Sequence, residues 1–125
     1  MHDLTARIIG ACIEVHRELG PGLLESAYEE CLCYELEQRG IQFTRQQPLP
    51  IVYKGQRLDC AYVLDAVVEK SIILELKSVE KILPIYEAQL ITYLKLANLS
   101  LGLLINFNVP LLKTGIRRIA NNYQE

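Results

Sequence analysis

In the otherwise apolar run "SIILELKS", Ser71 to Ser78, a carboxylate and an ammonium stand two residues apart at Glu75 and Lys77. Strand side chains alternate, so Ile73, Glu75 and Lys77 share one face while Ile72, Leu74 and Leu76 share the other. Upstream, "CAYVLDAVV" reads as a second strand, and Glu69-Lys70-Ser71 as a three-residue hairpin loop between the two. With Val68 facing Ile72 across that loop, counting back equally on both sides sets Asp65 opposite Glu75. Alternation fills the rest of that face with Val63, Val67 and Ile73. Directly opposed residues have Cβ atoms about 4.5–5.5 Å apart, and like charges at that spacing repel. A proton or a cation between the carboxylates removes the repulsion, and a hard divalent ion such as Mg²⁺ or Mn²⁺ suits such oxygen donors. Lys77, one step further along, is placed to hold the negative charge of a substrate or to orient a water. The plainer alternative is a solvated sheet face bearing ordinary charges. A helix expected after this strand argues against it, because helices tend to cover both faces of such a sheet.

These groups need elements to hold them. A first helix is expected from Leu4 to Leu19, with Asp3 or Thr5 to cap it and Gly20-Pro21-Gly22 to end it. A second runs from Leu24 to Arg39 and stops at Gly40. The period then becomes that of strands: "LPIVY", a Lys54-Gly55 turn, "CAYVLDAVV" and "IILEL". Pro84 opens a third helix whose apolar pattern runs through Leu90, Ile91, Tyr93, Leu94 and Ala97. The unbroken "LGLLINF" has the composition of a strand buried on both faces, and the strand-helix-strand order predicts that it lies parallel to "IILEL". The expected fold is α/β in the order ααβββαβ, a mixed sheet flanked by helices, with a short strand around Gly115 to Ile119.

With 125 residues, half of them hydrophobic, the chain is expected to form a single domain over residues 1–125. A net charge of −2 gives no global basic field, so contact with nucleic acid would need a local patch. Lys54, Arg57, Arg45, Lys113, Arg117 and Arg118 are the candidates for phosphate contacts. Cys12, Cys31, Cys33 and Cys60 lack zinc-ligand spacing and read as reduced thiols. Asp3, Arg7 and Glu14 exclude a signal peptide, and Leu96–Leu112, the longest uncharged run, is too polar and short to span a bilayer. The expectation is a cytoplasmic protein with no membrane partner.

Asp65 followed ten residues later by Glu75-Leu76-Lys77 resembles the D-(x)n-E-x-K core of the PD-(D/E)XK nuclease superfamily. The run "GLLESAY" is similar to the signature of the GxxExxY protein family within that superfamily, at Gly22, Glu25 and Tyr28, and the likeness continues through "EAQLITYL" and "LGLLINFN". The resemblance implies a restriction-endonuclease-like core and a Mg²⁺- or Mn²⁺-dependent nuclease. In it Asp65, Glu75 and the Leu76 carbonyl hold the metal, Glu25 reaches the same metal, and Lys77 positions the attacking water. Gln89 and Tyr93 resemble the QxxxY element of exonuclease-type members. Relatives often carry an arginine where Val63 stands here. "RLD", Arg57 to Asp59, imitates the pattern locally, but Asp65 is preferred because the short hairpin opposes it to Glu75. The substrate implied is DNA or RNA, with a homodimer as the expected means for so small a domain to grip a duplex. The alternative from another class is a non-catalytic module that keeps the nuclease fold and binds a cation, a small ligand or a protein partner.

Overall fold

The structure, a computed structural model, describes residues 2–121, apart from the side chains of His2, Cys60 and Ala61. Five strands form one sheet in sequence order: β1 (Phe43–Tyr53), β2 (Gln56–Val68), β3 (Ile72–Lys77), β4 (Leu101–Asn106) and β5 (Ile116–Ala120). All neighbours are antiparallel except β3 and β4, which run parallel from Ile72 beside Leu101 to Lys77 beside Asn106. A parallel pair needs a crossover, and α3 (Pro84–Ala97) supplies it. Both strands of that pair are buried almost throughout, as their two-sided apolar sequences require. On one face α1 (His2–Leu19) and α2 (Glu25–Gln38) bring Ile8, Tyr28, Leu32 and Leu36 into a core with Val68, Leu74, Leu76 and Ile105. On the other, α3 packs Leu90, Tyr93 and Leu94 with Val67, Ile73 and Leu104. The expected ααβββαβ order is present, and β5 closes the far edge of the sheet.

Local chemistry explains most boundaries. Pro84 starts α3, where a missing N–H is no loss, and Asn98 ends it in the left-handed conformation at φ 60°. Gly20, at φ 72°, turns the chain out of α1 while its N–H still reaches the His16 carbonyl at 2.8 Å. The start of α1 differs from expectation: the helix begins at His2, so Asp3 and Thr5 lie within its first turn. The acidic Asp3 there faces the positive end of the helix dipole. β1 and β2 are also longer than their apolar segments, because the exposed Thr44 and Arg45 and the exposed hairpin tip are paired although neither stretch carries an apolar period. Cys12, Cys31 and Cys33 are free thiols, while the side chain of Cys60 falls outside the described set. Among the described residues no helix is long and apolar enough to cross a membrane.

The β1–β2 pairing is irregular at two places: its register shifts between Leu49 and Ile51, and it breaks again beside Asp65. Pairing of β1 with β2 skips Gln46, the residue that the flanking pairs Arg45–Ala66 and Gln47–Leu64 set opposite Asp65, and Gln46 has φ 48°. On the other side, pairing of β2 with β3 ends at Ala66–Leu74, one step short of Asp65. Asp65 therefore lies in a break between two ladders. The alternation of β2 slips there as well: Leu64 and Val67, three apart, both pack in the α3 core, while Ala66 and Val68 pack in the opposite one. Tyr62 also faces α3, so Val63 does not share the face of Val67 as strict alternation predicted.

Two glycines permit close approach. A Cβ at Gly102 would lie 3.0 Å from the Leu90 side chain of α3, which can swing aside, whereas a Cβ at Gly115 would lie 2.2 Å from the backbone oxygen of Asn106. Gly115→Ala is accordingly expected to lower stability by about 1–3 kcal/mol, as overpacking does, and Gly102→Ala by less. Urea unfolding of both variants checks the ranking, and an unperturbed Gly115→Ala protein would contradict the packing at the end of β4.

Candidate active site

The hairpin between β2 and β3 sets the register of the charged residues. Glu69 and Lys70 adopt left-handed conformations, at φ 51° and 58°, and the Ser71 N–H closes the turn on the Val68 carbonyl at 2.9 Å. Val68 faces Ile72, as counted from the sequence. Where the backbone ladder stops, two carboxylates take its place. The Asp65 N–H donates to Glu75 Oε2 at 3.2 Å, and the Leu76 N–H donates to Asp65 Oδ2 at 2.8 Å. Each acid thus satisfies a backbone donor on the opposite strand, the donor that ladder pairing would otherwise use.

This exchange holds two like charges together in poor solvent. Glu75 is only 8% exposed, so it does not belong to a solvated sheet face. Burial above all, and then the charge of Asp65, push its carboxyl up to about 8, against the opposing pull of the Asp65 N–H and of Lys77. Burial likewise raises Asp65, while the Leu76 N–H lowers it and Glu29 and Glu25 raise it further. Among the described residues the second oxygen of each acid accepts no hydrogen bond, and no buried side-chain oxygen or nitrogen lacks a partner, so both oxygens remain accessible. The Lys77 carbonyl accepts from the Phe107 N–H on the β4 side at 2.9 Å. Successive carbonyls of a strand point to opposite sides, so the Leu76 carbonyl is turned toward Asp65. Two open carboxylate oxygens and a carbonyl beside them have the donor chemistry of a hard divalent cation. No group of three His, Cys, Asp or Glu side chains able to hold a metal is gathered among the described residues. In donor type, therefore, the fit rests on Asp65, Glu75 and the Leu76 carbonyl.

Glu25 approaches from the opposite layer, around the end of the sheet. As the first residue of α2 it accepts the Ser78 N–H at 3.3 Å, immediately beyond Lys77, and its charge bears on both Asp65 and Glu75. Tyr28, one turn later, fixes that position. Its ring is fully buried and stacked on Phe107 at 4.4 Å between centroids, and its hydroxyl donates to the Gly20 carbonyl and accepts the Leu23 N–H. With Gly22 at φ 96°, these bonds pin the loop that aims Glu25. The Gly22, Glu25 and Tyr28 spacing is thus a bend, a charge and a clamp. Sequence reading missed the opposing clamp: Asn106, 2% exposed, accepts the Val79 N–H and donates to the Val79 carbonyl, both at 3.0 Å, while the Ser78 hydroxyl donates to the Leu23 carbonyl. An amide within an otherwise apolar strand was the available signal. Glu29, also missed, lies one turn after Glu25, is held by Arg45 and Gln46, and adds its charge to Asp65.

The remaining candidates divide. The Lys77 ammonium lies over the Tyr86 ring, 4.6 Å from its centroid, and pairs with no carboxylate within 4 Å among the described residues. Tyr93 is buried, its hydroxyl pKa raised first by burial and then by the charge of Glu75, with the Gln89 side chain pulling the other way. Gln89 itself is exposed. Asp59 is exposed, paired with Arg57, and absent from the charges bearing on Glu75. Of the six basic candidates, Arg45 is taken by Glu29 and Glu30, Arg57 by Asp59 and Arg117 by Glu87.

The family model describing the PD-(D/E)XK nuclease superfamily matches residues 2–119 of the chain. No curated protein and no solved structure matches it.

The buried acid pair predicts a dependence of stability on pH. Unfolded, Glu75 titrates near 4.5, and folded near about 8. Between those values the folded chain keeps a proton that the unfolded chain has lost, so stability falls as pH rises through the window and levels above it. Glu75→Gln removes this contribution. In metal-free buffer the urea midpoint of the wild type is expected to drop from about pH 5 to about pH 8, and that of Glu75→Gln to drop much less. Equal slopes would contradict the burial of Glu75.

Proposed function

Because the chain belongs to the PD-(D/E)XK nuclease superfamily, whose members generally depend on divalent metals, we propose that it hydrolyses phosphodiester bonds in DNA or RNA with Mg²⁺ or Mn²⁺. The observation that carries this reading is the backbone exchange between Asp65 and Glu75, which leaves one oxygen of each acid open in a buried site. Asp65, Glu75 and the Leu76 carbonyl would hold the cation, with Glu25 adding negative charge from the end of α2. When bound, such an ion lowers the pKa of a coordinated water and neutralises charge developing on phosphate.

The chain's own groups do the rest. Cation binding requires both acids deprotonated, so the high pKa of Glu75 makes metal uptake release a proton below about pH 8. Lys77, oriented by the Tyr86 ring and tied to no carboxylate, is available to an oxyanion. Its ammonium cannot ligate a metal, and its contribution rises as charge develops on the attacking oxygen and the phosphate. Covering α3 limits water on the side of Ile73 and Tyr93. The internal pairing of Arg45, Arg57 and Arg117 favours the second reading, a nuclease-fold module that binds a cation without cleaving.

Isothermal titration with Mn²⁺ and a cleavage assay on single-stranded, duplex and branched substrates separate the two. Asp65→Asn is expected to weaken Mn²⁺ binding and abolish cleavage, while Asp59→Asn leaves both near wild type. Lys77→Met is expected to retain the metal and to cut roughly 10²–10³-fold more slowly, as loss of a preorganised electrostatic group does. Metal uptake without cleavage by the wild type would establish the non-catalytic module, and cleavage undiminished in Lys77→Met would remove Lys77 from the chemistry.

A further inference from the structure

Between α3 and the β1–β2 ribbon runs a groove of about 290 Å³. Ile51 and Tyr62 line it from the ribbon, and Ile85, Gln89, Tyr93 and Leu96 line it from α3. No charged side chain lines it. Several of these residues are exposed although apolar: Tyr62 is 43% exposed and Ile85 65%. The two tyrosine rings lie 5.9 Å apart between centroids and are inclined by 57°, so they are not stacked on each other. The exposed Tyr62 ring can turn to meet a third plane.

Tyr93 links the groove to the site already described. Tyr93 shares its core with Val67 and Ile73, each two residues from one of the acids, and the charges of Glu75 and Asp65 both bear on its hydroxyl. Resting on the nuclease reading, we propose that this groove binds one unpaired nucleobase of the nucleic-acid substrate, on a nucleotide adjoining the phosphodiester held at Asp65 and Glu75.

Four features favour a base as the occupant. Aromatic side chains stack on the face of any base, which gives affinity without demanding a sequence. The Gln89 amide carries both donors and an acceptor, matching the mixed edge of a base. At about 290 Å³ the groove lies just below the range of roughly 300–1,000 Å³ typical of small-ligand sites, which suits one planar ring system. The uncharged lining offers a phosphate no cation, whereas Lys77 bears on Glu75 and Asp65. A base inside a duplex has both faces stacked and its edge paired, so only a single-stranded, frayed or extruded nucleotide can enter. The substrate class follows: strands with unpaired nucleotides, in preference to the interior of a duplex.

The test compares kcat/KM on a single-stranded oligonucleotide and on the same sequence as a blunt duplex, for wild type, Tyr62→Ala and Leu96→Trp, with Mn²⁺ affinity measured in parallel. Tyr62→Ala removes an exposed stacking face, and Leu96→Trp fills the groove. Each is expected to lower kcat/KM on the single strand about tenfold or more with unchanged Mn²⁺ affinity, and the wild type to prefer the single strand. If the wild type cuts but both variants cut the single strand equally well, or if the blunt duplex is the better substrate, the groove is not a base site and the nuclease reading stands. If the wild type cuts no nucleic acid, the nuclease reading falls and this proposal with it.

Discussion

The constraint on which the site depends is the confinement of two carboxylates at a break in the sheet. Asp65 interrupts β2 on both sides: its partner across β1 is the left-handed Gln46, and its ladder with β3 has already ended. A gap of this kind would leave backbone donors unmet, at about 1–3 kcal/mol for each buried one. The carboxylates of Asp65 and Glu75 meet two of them across the strands. The same bonds that repair the sheet also hold like charges side by side, which burial makes worse. Repair and repulsion are thus inseparable, and a shared proton or a cation resolves the conflict without breaking either bond.

The surroundings of the pair are built to keep it in place. Asn106 extends the β3–β4 junction with a side-chain amide that imitates backbone, fixing Val79 just past Lys77. Ser78 ties that segment to Leu23 and Glu25, and Tyr28 ties the same loop to Gly20. On the flank, Gln46 hydrogen-bonds Glu29, which is paired with Arg45 opposite Ala66. A left-handed non-glycine residue costs about 1–3 kcal/mol, and these bonds offset it. The strain therefore sits beside the acids and is held by groups that also add negative charge near them.

Much of this was legible in the sequence, for definite reasons. The short hairpin left one register that opposed Asp65 to Glu75; the ladder follows that count from Val68–Ile72 to Ala66–Leu74, and hydrogen bonds from the Asp65 and Leu76 N–H groups carry it on. Gly40, Pro84 and the two-sided apolar run at Leu101–Asn106 carry their own structural meaning, and the elements they mark lie where expected. The slip at Asp65 was not legible. Period-2 reading assumes an unbroken pleat, so it grouped Val63 with Val67, whereas the break brings Leu64 to that side. The full lengths of β1 and β2 were hidden because their outer residues are polar or exposed and show no period. The clamp at Asn106 was hidden as well, since a side chain's imitation of backbone depends on what lies across from it. Tyr28 could be seen as core or site from its spacing, and its stacking and hydrogen bonds make it the former in support of the latter.

Carbon-13 NMR titration of the Glu75 carboxyl, metal-free and then with saturating Mg²⁺, tests most directly that an unresolved charge conflict is the core of the site. Metal-free, the carboxyl is expected to titrate at about 8. With Mg²⁺ its midpoint should move well into the ordinary carboxylate range, because the bound cation favours the charged form. A metal-free midpoint near 4.5, or a high midpoint indifferent to Mg²⁺, would contradict the account.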